Sequence, residues 1–211
     1  MKKLISEFSG TFLLLNAVVG SGIMATNLTT DAGLQLVINA LSVVAMLAVI
    51  IMVFAKVSGA HFNPAVSLYF AIRGVLRPRE FFGYVIAQIL GAITGTMTAN
   101  LMFQHKVLEI SSHNRSSFGT FIGEIVATFG LLLIIATKSE IASVLVPAWI
   151  GSAYFFTAST SFANPAVTIG RVFTNSFSGI APKSVLGFMA AQILAVLLVR
   201  LFSRFIMEEN T

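Results

Sequence analysis

Cysteine is absent from the 211 residues, so the chain has no disulfide framework, no thiolate metal site and no thiol nucleophile. Charge is scarce too: Asp, Glu, Lys and Arg together make up 10% of the chain, against about 25% in a soluble domain. With 56% hydrophobic residues, too little polar surface remains to cover a soluble core. That excludes an ordinary soluble enzyme and a disordered chain alike. An integral membrane protein remains. Short alternating segments of about ten residues, the mark of a transmembrane β-barrel, are missing. The apolar runs are continuous and about twice that length, as a helix needs to cross about 30 Å of hydrocarbon. The net charge of +5 implies no nucleic acid, since a basic membrane protein obeys the positive-inside rule.

Six runs are long enough to span: 4–25, 36–57, 81–103, 118–136, 142–160 and 185–205. The first follows Lys2 and Lys3, but it is too long for a signal h-region and no A-x-A cleavage site follows, so it reads as a retained span. Two apolar segments, 63–72 and 164–173, have half the length a bilayer requires, and each opens on Asn-Pro. Six spans put both termini on one side. If that side is cytoplasmic, Lys2, Lys3, Lys56, Arg73, Arg77, Arg79, Lys138, Arg200 and Arg204 lie inside, and Lys106, Arg115, Arg171 and Lys183 outside. The imbalance predicts cytoplasmic termini.

The chain repeats itself, as one channel-sized domain over 1–211 with halves near 1–103 and 118–208. Glu7-x-x-x-Thr11-Phe12 matches Glu124-x-x-x-Thr128-Phe129. Asn63-Pro64-Ala65-Val66-Ser67 matches Asn164-Pro165-Ala166-Val167-Thr168. Ala87-Gln88-Ile89-Leu90 matches Ala191-Gln192-Ile193-Leu194. Three spans per half is an odd number, so the second half must lie inverted, which places a site near the midplane between interrupted helices. Gly83, Ala87, Gly91 and Gly95, and on the last span Gly187, Ala191 and Ala195, form small-residue faces that let helices approach closely.

Asn is a good N-cap and Pro a good first helical residue, so each Asn-Pro starts a helix at membrane depth. Entering from opposite faces, the two half-helices point their N-termini at one another, each with roughly half a positive charge. Two such ends form a barrier to cations. The Asn63 and Asn164 amides cap with their oxygens and offer N–H groups to a passing oxygen. That arrangement suits a narrow polar pore for neutral hydroxylated molecules. Glu7 and Glu124 are intramembrane carboxylates, for which two readings stand. One is a proton relay; the other, favoured here, is a brace that accepts hydrogen bonds from the N–H groups of a non-helical loop. Gln88 and Gln192 brace similarly.

These residues together resemble the aquaporin, or major intrinsic protein, family, over nearly the whole chain. The resemblance rests on the doubled Glu-x-x-x-Thr-Phe, on Ser58-Gly59-Ala60-His61-Phe62-Asn63-Pro64-Ala65-Val66, on Asn164-Pro165-Ala166 and on the Ala-Gln pairs. It implies an all-α membrane protein of six transmembrane helices plus two opposed re-entrant half-helices, a homotetramer with one pore per subunit, and passive conduction without cofactor, metal or catalytic residue. Water and glycerol channels of the family carry Arg after the second Asn-Pro-Ala; here Val167 stands there. Aligned on the signatures, the other constriction positions fall at Val43, Ser152 and Ser161. The implied filter is wider and less polar than that of a water-selective pore. The run Asn164–Arg171 is similar to a bacterial, aquaglyceroporin-like branch associated with arsenic detoxification.

His61 falls beside the first signature, at the inner mouth. Arg171 lies one turn beyond Val167, and either lines the outer mouth or snorkels to the interface. His105 and His113, without acidic partners, make a poor metal site. Trp149 and Tyr154 both fall inside the fifth span, so an interfacial belt does not explain them. The expected function is passage of water and small neutral solutes: polyols, or hydroxylated metalloids such as arsenite. The rivals are a water-selective pore with an atypical filter and a proton-coupled transporter using Glu7 and Glu124. No nucleophile, base and metal constellation supports an enzyme.

Overall fold

The computed structural model describes residues 1–206, with side chains through Ser203. The side chain of Arg204 and the last positions of the second repeat, 207–208, lie outside the described residues. All regular structure is helical: α1 (Lys2–Leu28), α2 (Ala32–Ser58), α3 (Pro64–Ile72), α4 (Pro78–Met102), α5 (Phe118–Ala136), α6 (Ala142–Phe156), α7 (Pro165–Gly170) continued by a 3₁₀ turn (Arg171–Phe173), and α8 (Pro182–Ile206). Among the described residues, five helices are long and apolar enough to cross a membrane. The fifth expected span is shorter than its apolar run. α6 has 15 residues, about 22 Å at 1.5 Å per residue. Residues 157–160 leave the helix, and Thr160, Ser161 and Ala163 take positive φ angles.

Helix starts follow local chemistry. The Asp31 carboxylate caps α2 by accepting from the Leu34 N–H at 2.7 Å. Ser117 and Thr120 form a reciprocal capping box at the head of α5. α1 packs along α4 and α2, α5 along α8, and α6 bridges α2 and α5. The α1–α4 seam is closed by glycine: a Cβ on Gly91 would run into the Phe8 carbonyl, and one on Gly95 into the Phe12 carbonyl. Ala191 and Ala195 are fully buried on α8. Gly187 is the exception to that small-residue face. It is exposed, and a Cβ there would meet nothing within 4 Å.

Large aliphatic residues such as Leu41, Val53, Ile86, Val144 and Leu197 face outward. A soluble helix would hide that surface; in a bilayer lipid covers it. The two short helices, α3 and α7, contact α4 and α8 and each other, and so sit inside the bundle.

Candidate functional site

Each short helix begins at an Asn-Pro pair, and the pairs engage each other. The Asn63 Oδ1 accepts from the Ala65 N–H at 2.8 Å. The Asn164 Oδ1 accepts from Ala166 at 2.9 Å and Val167 at 3.3 Å. Pro64 and Pro165 occupy the first helical position, where no N–H is needed. Each amide nitrogen then crosses to the other half: Asn63 Nδ2 donates to the Ala163 carbonyl at 2.8 Å and Asn164 Nδ2 to the Phe62 carbonyl at 2.8 Å. One N–H of each amide is thus spent on the opposite loop, and one remains of the two that sequence reasoning offered to a solute. Ala65 and Ala166 are fully buried, leaving no room for a larger side chain beside the crossing.

The loops before these helices are strained. Ala60 and Phe62 in the first, and Thr160, Ser161 and Ala163 in the second, hold φ between 48° and 58°. Such conformations cost of order 1–3 kcal/mol each and persist only where surroundings enforce them. The enforcing groups are the two buried carboxylates. Glu7 accepts from Ser58 Oγ at 2.6 Å, His61 N at 3.0 Å, Phe62 N at 2.6 Å and Gln88 Nε2 at 2.8 Å. Glu124 accepts from Phe162 N and Ala163 N, both at 2.8 Å, and from Gln192 Nε2 at 2.6 Å. The glutamines also reach the short helices, Gln88 to Ser67 Oγ and Gln192 to Thr168 Oγ1, each at 3.0 Å. Ser67 and Thr168 were visible as matched repeat positions, but their role as second anchors needed the tertiary fold.

A cavity of about 350 Å³ runs past this crossing. Its α6 wall is formed by Ala142, Val146, Ile150 and Tyr154, a four-residue spacing that lies on one helix face and spans about 18 Å. Leu14, Val18, Val43, Leu47, Leu131 and Val66 supply much of the remaining apolar wall, and Lys138 and Ser139 lie at the end near α5. Of the four expected constriction residues, Val43, Ser161 and Val167 line the cavity. Ser152 does not: it is exposed on the outer face of α6, and Ile150 and Tyr154 face inward in its place. The reason is helical phase. Two residues turn a helix by about 200°, so Ile150 and Tyr154 share a face that Ser152 opposes.

His61 lines the cavity beside the first signature. Its Nδ1 lies 3.1 Å from Ser67 Oγ, and its ring stacks on Phe70 with centroids 4.7 Å apart. Arg171 also lines the cavity and is 2% exposed, so it does not snorkel, nor does it belong among exposed charges that set topology. Lys138 lines the cavity, and Arg115 lies over the ring of Phe162, which also lines it. Trp149 donates through Nε1 to the Ala127 carbonyl at 2.9 Å and covers Gly130. His105 and His113 are exposed in the α4–α5 connection. Partial desolvation of the ring, and then the Arg115 and Arg171 charges, hold the His113 imidazole below its usual range.

A lipid-facing helical bundle, with a cavity threading between two helix starts, defines a channel. The sequence comparisons agree with that class. The family model described as "Major intrinsic protein" matches residues 1–163, and the chain belongs to that family. It is 46% identical over 211 residues to aquaglyceroporin AqpS of Rhizobium meliloti (strain 1021), covering 98% of this chain and 91% of that protein. To aquaporin NIP1-1 of Zea mays it is 36% identical over 140 residues, 64% of this chain and 48% of the plant protein. The X-ray structure of the aquaglyceroporin from Plasmodium falciparum superposes with a TM-score of 0.74 at 26% identity, covering 98% of this chain and 96% of that one. The protein is a multi-pass membrane channel for water and small solutes, and not an enzyme.

Proposed function

We propose that the pore conducts water together with glycerol-sized neutral solutes, hydroxylated metalloids among them. The observation that carries this reading is the wall of the cavity. Val43, Val167 and Ile150 are apolar and Ser161 is small, a lining that suits solutes larger than the water of a single-file filter. The positive ends of α3 and α7 meet where Asn63 and Asn164 cross, which opposes cations. Glu7, Glu124, Gln88 and Gln192 act as braces. Their hydrogen bonds to strained loops favour that role over proton relay, because each carboxylate oxygen is already occupied by donors. His61 stands at the inner mouth and Arg171 at the outer one.

In this reading the two halves are inverted repeats, the termini face the cytoplasm of a bacterial inner membrane, and four copies assemble. The rhizobial relative named an aquaglyceroporin supports both the membrane and the solute class. The test is a panel of solutes in proteoliposomes, read by stopped-flow light scattering. Linear, uncoupler-insensitive fluxes of water, glycerol and arsenite are expected. Water flux without glycerol flux would instead select the water-specific rival, and saturable flux that collapses with an uncoupler the transporter.

A further inference from the structure

Arg171 is a buried cation that forms no ion pair among the described residues. The ion pairs among the described residues are Lys3–Glu80 and Arg77–Glu80, both far from it in the fold. Its guanidinium is seated in two ways. Nε donates to the Ser178 carbonyl. The guanidinium carbon sits 3.5 Å from the centroid of the Phe162 ring. That ring is in turn fixed by an edge-on contact with Phe188 at 4.9 Å and by the Glu124 bond to the Phe162 N–H. Arg115 lies 5.5 Å from the same centroid and is tied to the Gly179 and Phe177 carbonyls at 2.8 and 2.9 Å. No protein group among the described residues accepts from the terminal nitrogens of Arg171. Ser161 Oγ, buried on the same cavity, also has no partner. A buried charge in such a position is tolerable only if its free N–H groups meet water or solute.

We propose that Arg171, one helical turn beyond Val167, is the fixed cation of this pore, and that Phe162 is its positioning residue. This rests on the proposed pore. Moving the charge off position 167 separates two properties. The passage at Val167 stays wide enough for solutes larger than water, while a unit positive charge still stands in the lumen wall and turns cations away. The free Nη donors and the Ser161 hydroxyl together form a polar subsite for the oxygens of a neutral solute. The apolar wall at Val43 and Val167 meets its carbon-bearing side and rejects ions by desolvation.

The experiment compares matched proteoliposomes carrying wild type, Arg171→Gln, Arg171→Lys, Phe162→Leu, Val43→Trp or the double variant Val167→Arg/Arg171→Gln. Water and glycerol permeability and sodium and proton leak are read on each. Arg171→Gln is expected to raise cation leak about tenfold or more relative to water flux in the same liposomes, as expected for losing a unit charge from the lumen wall. Arg171→Lys should keep the exclusion, and the double variant should restore it while slowing glycerol. Leak at the wild-type level in folded, conducting Arg171→Gln overturns the proposal. If that variant does not fold, Phe162→Leu decides: it keeps the charge but removes its seat, so a several-fold rise in leak relative to water flux supports the proposal and no rise overturns it. Val43→Trp separates the two levels. Unchanged solute flux in it removes the pore reading and this proposal together, whereas blocked flux beside an indifferent Arg171→Gln removes this proposal alone.

Discussion

Truncating Glu124 exposes what the carboxylate does. Its Oε1 accepts from the Phe162 N–H and its Oε2 from the Ala163 N–H and Gln192. In Glu124→Ala, Gln192 retains Thr168 as an acceptor, but both backbone N–H groups lose theirs in a fully buried site. At roughly 1–3 kcal/mol for each orphaned donor, the loss is about 2–6 kcal/mol, before any cavity cost. In Glu124→Gln, the remaining oxygen can take the Oε2 position and keep both bonds there. The new NH₂ then faces the Phe162 N–H, so one donor is orphaned, at about 1–3 kcal/mol. The Gln variant should therefore unfold at a temperature between wild type and Ala, and conduct once folded. The assay pairs thermal unfolding in detergent with stopped-flow flux normalised to folded protein. Equal destabilisation by Gln and Ala would refute the bond accounting. A Gln variant as stable as wild type that conducts nothing would refute bracing and restore the proton relay.

Asn63→Asp and Asn164→Asp each put a potential negative charge between two positive helix ends, so proton leak should rise while the ratio of water to glycerol flux holds; a pH-sensitive dye trapped in the liposomes reports it. Val167→Arg adds a long planar cation with five donors to the cavity wall and should slow glycerol far more than water; equal slowing of both would remove Val167 from the constriction. Ser152→Phe should leave glycerol flux unaltered because Ser152 faces outward, whereas Ile150→Trp should reduce it severely, and the pair of flux measurements tests the inward face of α6. Gly95→Val should destabilise by about 1–3 kcal/mol or more through overpacking against the Phe12 carbonyl, seen as a lowered unfolding temperature and poor membrane yield.

Much of this architecture is legible before folding because its causes are local or duplicated. Membrane residence follows from length and polarity of the apolar runs alone. α5 coincides with its predicted run, 118–136, because Ser117 and Thr120 cap it locally. The two half-helices announce themselves because Asn and Pro act within three residues, at a cap and a first turn. Glu7 and Glu124 stand out because a carboxylate in an apolar run needs partners, and the repeat names the same partners twice. Tertiary structure alone decided the rest. Whether Ser152 or Tyr154 meets the lumen depends on helix phase, which advances about 100° per residue and is lost when counting across an irregular loop. The carbonyl to which each Asn amide nitrogen donates lies on the opposite half of the chain. Arg171 could be placed one turn beyond Val167 by spacing, but snorkelling and burial are equally compatible with spacing. Its seat on Phe162 and the Ser178 carbonyl is made by the fold, and that contact turns a surface charge into a wall of the cavity.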